Sequence, residues 1–427
     1  MGYTPILVLF VLFALNIPVA YALLMSAVYY FAVVNTSMPM DMVLQKMVAS
    51  GESFTLLAVP FFVAVGTVMN YSGIASRLMA MADVIAGHMV GGMGQVNVVL
   101  SALMGGVSGS ANADAAMQSK LLVPEMVKRG YSKGFSAGIT AASACISPVI
   151  PPGIGLILYA FLANVSVAKM FMAGYLPGLT ITVALMITVH IISKRRKYKP
   201  SRERRATASE FFHQVLDSAW ALFLPLGIIM GLRVGMFTPT EAGAMSVFYC
   251  IFVGIFVYRE LKPSMLPAIL KESVLSTASV MFIIAAASSF GHYMSWERIP
   301  QMISEMMIGI TDNRYLMLLI INIFLLFVGM FIEGTAALII LTPLLVPTVT
   351  ALGVDPVHFG IIIGINLIIG GVTPPFGTLM FLTCSITRIG VREFVAESWP
   401  FMVALFVAQM VITFVPPLSL FLPGLIA

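Results

Sequence analysis

Charge is scarce in this chain. Asp, Glu, Lys and Arg together supply only 10% of its 427 residues, against 59% hydrophobic residues. A soluble domain carries about 25% charged residues, and a mean hydropathy of +1.00 places the chain in lipid instead. No polar stretch is long enough to form a separate soluble domain. Cysteine is nearly absent as well: Cys145, Cys250 and Cys384 all lie in apolar runs without metal-type spacing, and read as small buried residues. The five histidines, His88, His190, His213, His292 and His358, are scattered. Neither a metal cluster nor a nucleophile constellation can be assembled, and there is no nucleotide-binding loop. An enzyme and an ATP-driven pump are therefore both disfavoured. The N-terminus lacks the basic region and small-residue cleavage site of a removed signal peptide, so it reads as a first span.

What is present is a succession of apolar segments near the ~20 residues that cross a bilayer. Spans are expected at 3–15, 18–35, 54–72, 134–164, 172–193, 217–235, 238–258, 274–294, 357–387 and 395–424, with two longer stretches, 93–128 and 315–350, interrupted near their middles. The chain also echoes itself at a shift of 223 residues. "KLLVPEMVKRG" (120–130) meets "PLLVPTVTALG" (343–353), and without a gap "VIPPGIG" (149–155) meets "VTPPFGT" (372–378). Pro124/Pro347, Gly130/Gly353, Pro151/Pro374, Pro152/Pro375 and Pro177/Pro400 fall in one register, and Gly106 falls on Gly329. Chance similarity of apolar segments does not align prolines and glycines in this way. The sequence reads as two copies of one unit, 1–193 and 217–427, joined by a basic linker, 194–216.

Basic residues mark cytoplasmic loops. "VKRGYSKG" (127–134) has three, and its counterpart "TALGVDPVHFG" (350–360) has none; "SVAKMF" (166–171) has one, and its counterpart is flanked by Arg388 and contains Arg392. The bias flips, so the copies are expected upside down relative to each other. "KRRKYKPSRERR" (194–205), with eight basic residues and one acid, anchors the cytoplasmic side; nucleic-acid binding is the weaker reading of that run. The net charge of +5 lies mostly in this linker and says little else.

Proline pairs deny a helix its donors, and broken backbone at membrane depth survives only where it is buried in protein or lines a cavity. Two related breaks, in 134–164 and 357–387, free carbonyls for a hard cation and helix N-termini for an anion. Inverted repeats with broken helices are the construction of secondary transporters. The interrupted stretches read as re-entrant hairpins opening to opposite faces. The first has "GGVSGSANADAA" (105–116) at its tip, with Ser108, Ser110, Asn112 and Asp114; the second has "GMFIEGTAALIILTP" (329–343), with Glu333, Gly334 and Thr335. Glu333 falls on Ser110 by the shift. Asp114 and Glu333 are each open to two readings, a functional intramembrane acid or a carboxylate satisfying helix N-terminal amides. "TPTEAG" (238–243) is expected to be a capping box, with Thr238 at the N-cap and Glu241 at N3. Stretches 74–90 and 297–311 read as amphipathic interface helices, and the 31 methionines as adaptable packing.

With these motifs in hand, the chain resembles the large membrane subunit of tripartite ATP-independent periplasmic (TRAP) transporters over essentially its full length. The similarity is most specific at "GSANADAA" (109–116), "SPVIPPGIGLILYA" (147–160), "FTPTEAG" (237–243), "GMFIEGTAALIILTP" (329–343) and "GGVTPPFGTLMF" (370–381). The resemblance implies an all-α multi-pass protein with the elevator-type fold of the ion transporter superfamily. It implies sodium-driven uptake of an organic acid, a sialic acid-like sugar acid or a C4-dicarboxylate, across a bacterial inner membrane. Its partners would be a small four-helix membrane subunit, expected as a separate polypeptide, and a periplasmic substrate-binding protein, with Na+ as coupling ion and no cofactor.

On this reading one sodium is expected between the first tip and the first break, at Ser108, Gly109, Ser110, Asn112, Ser147 and Pro151. A second is expected at Gly334, Thr335, Gly370, Thr373 and Pro374. The substrate would lie between the tips, against Ser110, Asn112, Asp114, Glu333 and Thr335. The alternative is a receptor-independent sodium–dicarboxylate symporter of the same superfamily; a channel or a membrane enzyme is a more distant possibility.

Overall fold

The computed structural model describes residues 2–425, and every regular element among them is helical. The first part comprises α1 (Thr4–Ala14), α2 (Val19–Tyr29), α3 (Asp41–Gly51), α4 (Ala58–Tyr71) and α5 (Ile74–Ala86). It continues with α6 (Gly92–Ser108), α7 (Ala111–Lys128), α8 (Lys133–Ala144), α9 (Ile154–Leu162) and α10 (Val167–Arg196). After α11 (Ala208–Asp217) come α12 (Ala219–Arg233), α13 (Pro239–Phe252), α14 (Leu266–Trp296) and α15 (Ile299–Ile308). The chain ends with α16 (Arg314–Phe331), α17 (Gly334–Ala351), α18 (Pro356–Gly370), α19 (Thr378–Thr387), α20 (Val391–Phe414) and α21 (Pro417–Leu420). Seven of the described helical segments are long and apolar enough to cross a membrane. On α10 the exposed stripe Leu179, Val183, Ile187 and Ile191 is fully apolar while Ile181, Leu185 and Val189 are buried. A helix apolar on its outward face belongs in lipid, and the chain is a multi-pass membrane protein.

Local chemistry sets the ends of these helices. Ser110, Ser132, Ser166 and Asn313 are N-caps whose side chains accept from backbone amides of the first turn. Thr238 and Glu241 form the expected capping box at the start of α13. Several features depart from the sequence expectations, and α3 falls between expected spans where no element was foreseen. The linker holds a helix, α11, begun by a second capping box between Thr207 and Glu210. The last expected span, 395–424, stops at Phe414, because Pro416 and Pro417 withhold the donors a continuing helix needs.

Element bounds recur at the 223-residue shift. Moved by it, α7 becomes 334–351, which is α17, and the π-helical stretch Tyr30–Val34 becomes Val253–Val257, also π-helical. Interfaces recur with their partners exchanged: α4 packs on α13 as α14 packs on α2, and α8 packs on α20 as α18 packs on α10. The two sequence halves are thus interleaved, not laid side by side as two cores. A large core joins α4–α10 to α13 and α16–α20, and a smaller one ties α1–α3 to the ends of α14 and α15.

Hydrogen bonds gather the loops into two poles. At the basic pole Tyr131 Oη donates to Lys199 O at 3.0 Å, Arg129 Nη1 to Ser201 O at 3.3 Å and Lys133 Nζ to Arg388 O at 3.1 Å. Arg196 pairs there with Glu397 at 2.5 Å, and Arg77 with Glu260. At the opposite pole Tyr293 Oη donates to Gly2 O at 2.7 Å, Thr240 Oγ1 to Phe54 O at 3.1 Å and Tyr159 Oη to Pro356 O at 2.6 Å. The first hairpin, α6–α7, therefore opens at the basic pole, where Arg129 meets Ser201. The second, α16–α17, ends one turn before Pro356 at the other.

Candidate functional site

The two hairpin tips meet. A cavity of about 270 Å³ is walled by Gly109, Ser110, Ala111 and Asn112 from the first tip and by Glu333, Gly334 and Thr335 from the second. The broken helices close it with Pro148, Gly155, Gly364, Leu367, Gly371 and Thr378, and Val280 of α14 completes one side. Five pairs of wall residues are related by the shift: Ser110/Glu333, Ala111/Gly334, Asn112/Thr335, Pro148/Gly371 and Gly155/Thr378. Nearby, Cys145 Sγ lies 3.9 Å from Ile368 O, a contact between positions 223 apart. The cavity thus sits where the two halves of the sequence meet themselves.

Each tip is built so that a helix starts at the wall. Ser110 Oγ accepts from Ala113 N at 3.4 Å and caps α7. Glu333 Oε2 accepts from Ala336 N at 3.0 Å and caps α17. Residues at equivalent positions do equivalent work, and the helix-end reading of Glu333 is what the structure displays, on the cavity wall. Helix N-termini carry partial positive charge, and both face this space.

The tips also press on the breaks. Gly109 has φ +56°, and a Cβ there would stand 2.4 Å from Pro152 O, so only glycine fits this approach. Gly329 and Gly370 touch backbone to backbone; a Cβ on Gly370 would stand 2.5 Å from Gly329 Cα. Ser108 Oγ lies 3.0 Å from Ser147 Oγ, joining the first hairpin to the first break. The Pro151–Pro152 and Pro374–Pro375 bonds are cis.

Of the residues singled out from sequence, Gly109, Ser110, Asn112, Glu333, Gly334 and Thr335 share the cavity. Ser108 and Ser147 are buried beside it as a hydroxyl pair. Pro151, Gly370, Thr373 and Pro374 lie in the breaks and not on the wall; Thr373 Oγ1 donates to Ile369 O at 2.8 Å. Asp114 is not in the cavity and does not cap backbone amides with its side chain. It is turned into the hairpin, where Ser101 Oγ donates to Oδ2 at 2.9 Å and Gln118 Nε2 to Oδ1 at 2.8 Å. The helix-end reading of Asp114 does not describe that position, and the substrate contact expected of it is not on the cavity wall. Among the wall residues not singled out from sequence, Pro148, Gly155, Gly364 and Gly371 contribute mainly backbone, hinted at only by the Pro-Pro and glycine punctuation, while Thr378 adds a hydroxyl and Val280, Leu338 and Leu367 apolar surface.

The sequence model for "Tripartite ATP-independent periplasmic transporter, DctM component" matches residues 6–418. Among curated relatives, the sialic acid TRAP transporter large permease protein SiaM of Vibrio cholerae is 38% identical over 96% of this chain and 95% of its own. The 2,3-diketo-L-gulonate TRAP transporter large permease protein YiaN of Escherichia coli is 35% identical over 95% of each chain. The C4-dicarboxylate TRAP transporter large permease protein DctM of Rhodobacter capsulatus is 33% identical over 93% of each. Among solved structures, the Alcanivorax borkumensis YdaH transporter superposes with a TM-score of 0.61 at 13% identity, covering 87% of this chain and 88% of that one, a likeness of fold. These relatives are transporter permeases and not enzymes. The chain belongs to the DctM-component family, the large permease subunits of tripartite ATP-independent periplasmic transporters.

Proposed function

We propose that this subunit carries out sodium-coupled uptake of an organic acid anion across a bacterial inner membrane. A periplasmic binding protein delivers the substrate, and a small four-helix membrane subunit completes the transporter. The single observation that carries this reading is the cavity in which two capped helix starts, related by the 223-residue shift, face one another. N-terminal amides suit an anion. Hydroxyl, amide and carbonyl oxygens at Ser108, Ser110, Asn112 and Ser147, and at Thr335 with the carbonyls of the second break, suit a dehydrated sodium ion.

The two halves act as inverted repeats around this site, and the hairpins and broken helices move together as an elevator past α1–α5 and α12–α15. Each net positive charge entering down a 100 mV potential contributes about 2.3 kcal/mol. Two sodium ions with a monoanion thus have one net charge to exploit besides the sodium gradient. Concentrative uptake needs no ATP on this basis. Glu333 lies on the wall with Ser110, Asn112, Thr335 and Thr378. A carboxylate there accepts hydrogen bonds from substrate hydroxyls and repels a second carboxylate, which favours a polyhydroxylated monoanion, a sialic acid-like sugar acid, over a C4-dicarboxylate.

Proteoliposomes holding both membrane subunits test the proposal. Uptake should require an inward sodium gradient and a loaded binding protein. Uptake of free acid without the binding protein would point to the receptor-independent symporter, and uptake indifferent to sodium would overturn the coupling.

A further inference from the structure

The basic linker has no counterpart in the repeat. Shifted by 223 residues, 194–204 falls on 417–427, "PLSLFLPGLIA", which has no charged side chain, whereas seven basic residues and one acid stand at 194–204. Ion pairs occupy a minority of the cations in this run. Arg196 meets Glu397 at 2.5 Å and Arg204 meets Glu210 at 3.0 Å, while Arg202 lies 3.8 Å from Glu210 and 4.0 Å from Asp83. Among the described residues Lys194, Arg195, Lys197, Lys199 and Arg205 are exposed and pair with no carboxylate. Like charges this close together repel unless something outside the chain neutralises them.

The helix that follows is uncovered on one side. α11 packs on α5 and α12 yet buries none of its residues. Phe212 is 67% exposed and Leu216 64%, and Phe211 is exposed beside them. With Val215 these side chains stand at i, i+1, i+4 and i+5, one stripe of a helix. Ser209, Glu210, His213, Gln214 and Asp217 occupy the opposite arc.

The neighbouring span sets the level of this helix in the bilayer. α12 presents Phe223, Leu226 and Met230 outward and so runs into lipid. α11 leaves it at a bend of 68°, which lays α11 close to the membrane plane. At the corner Tyr249 Oη donates to the carbonyl of the exposed Trp220 at 2.7 Å, and Tyr258 Oη donates to Asp217 O at 3.3 Å. Trp and Tyr gather at the headgroup level, and basic loops mark its cytoplasmic side.

A topological anchor accounts for the sign of the run and for nothing more. It needs no amphipathic helix, and a plain connector would not leave two phenylalanines and a leucine uncovered.

We propose that α11 is an in-plane membrane anchor which, together with Lys194, Arg195, Lys197, Lys199 and Arg205, forms a binding surface for anionic phospholipid headgroups of the cytoplasmic leaflet. The leaflet supplies both things this segment lacks. Its acyl boundary takes the Phe212 and Leu216 side chains, as it takes the apolar face of other amphipathic helices. Its phosphates neutralise the unpaired cations. The contacts of Arg202 and Arg204 with Glu210 hold the charged run against the start of the helix. A protein partner would have to offer an apolar groove and an acidic patch side by side.

Fluorescence quenching in vesicles tests this on the full-length protein. The three native cysteines are buried, so a thiol introduced by Phe212→Cys takes a bimane label selectively. In phosphatidylcholine vesicles with a minor fraction of phosphatidylglycerol, lipids brominated high on their acyl chains should quench the label and aqueous iodide should not. At equal mole fraction, brominated phosphatidylglycerol should quench more than brominated phosphatidylcholine. Lys199→Gln and Arg205→Gln should each cut that preference by about fivefold, and raised salt should cut it as well. Quenching by iodide instead of bromolipid would overturn the proposal, as would equal quenching by the two brominated lipids. Quenching by neither, in the complex with the small membrane subunit, would assign the stripe to a protein partner and overturn it too. Leu216→Cys repeats the measurement one turn away should Phe212→Cys not fold. None of these readouts involves uptake, so a failure of sodium-driven transport counts against the proposed function and not against this surface.

Discussion

At the scale of single residues, the site is a set of short polar side chains and bare backbone in an apolar surround. A charge-assisted contact is worth about 1.5–3 kcal/mol, and 1.4 kcal/mol is a factor of ten. Asn112→Ala and Thr335→Ala should therefore each raise the sodium concentration for half-maximal uptake by roughly ten- to a hundredfold. Sodium titrations of uptake by each variant check this, and an unchanged titration removes that residue from the ligand set. Glu333→Gln should fold, because an amide oxygen can still accept from Ala336 N. It should lower the preference for a polyhydroxylated monoanion over a dicarboxylate, read by competition between the two acids.

These residues were legible in the sequence because polar groups and glycines are conspicuous in a run such as "GGVSGSANADAA". Asp114 was less so. Its partner Gln118 is one turn away on the same helix, but Ser101 comes from α6, and which way the carboxylate turns depends on that packing. Pro148, Gly155 and Gly364 were out of reach because their contribution is a place in space and not a functional group.

At the scale of elements, the breaks and tips depend on glycines whose roles differ. Gly130 has φ +88° with open space around it, whereas Gly109 has φ +56° and Pro152 O in the way. Placing a side chain in the left-handed region costs roughly 1–2 kcal/mol. Gly130→Ala should show that loss alone, with sodium-dependent stabilisation intact. Gly109→Ala should lose more, and with it the rise in unfolding temperature that sodium gives, since the tip must lift off the break. Thermal unfolding with and without sodium separates the two.

The linker helix α11 makes a different prediction. The Thr207 amide, donating to the Glu210 carboxylate, together with Arg204 and Arg202, holds that carboxyl below its usual range. A depressed carboxyl stabilises above its unfolded pKa and ceases to do so as pH falls through its folded one. Acidification should then fray α11 and expose the linker to proteolysis before the membrane helices respond, and Thr207→Ala should mimic this at neutral pH. The T-x-x-E signal for this helix was present in the sequence, though hidden by the basic run before it. The short helix α3 was less visible, having neither the length of a span nor a side-chain cap.

At the scale of the whole molecule, composition settles the medium, and the register of prolines and glycines anticipates element bounds as far as α7 and α17. Sequence could not show that the halves interleave, with α4 on α13 and α8 on α20, because long-range packing leaves no periodic trace. The account rests on the two hairpins entering from opposite faces and meeting at one cavity. The three native cysteines are buried, so single thiols can be introduced in a cysteine-free background. The decisive pair is Lys128→Cys and Ala351→Cys, equivalent positions at the open ends of α7 and α17. Labelling intact cells with a membrane-impermeant maleimide should modify Ala351→Cys from outside and leave Lys128→Cys untouched until the membrane is opened. Modification of both from the same face would contradict the account.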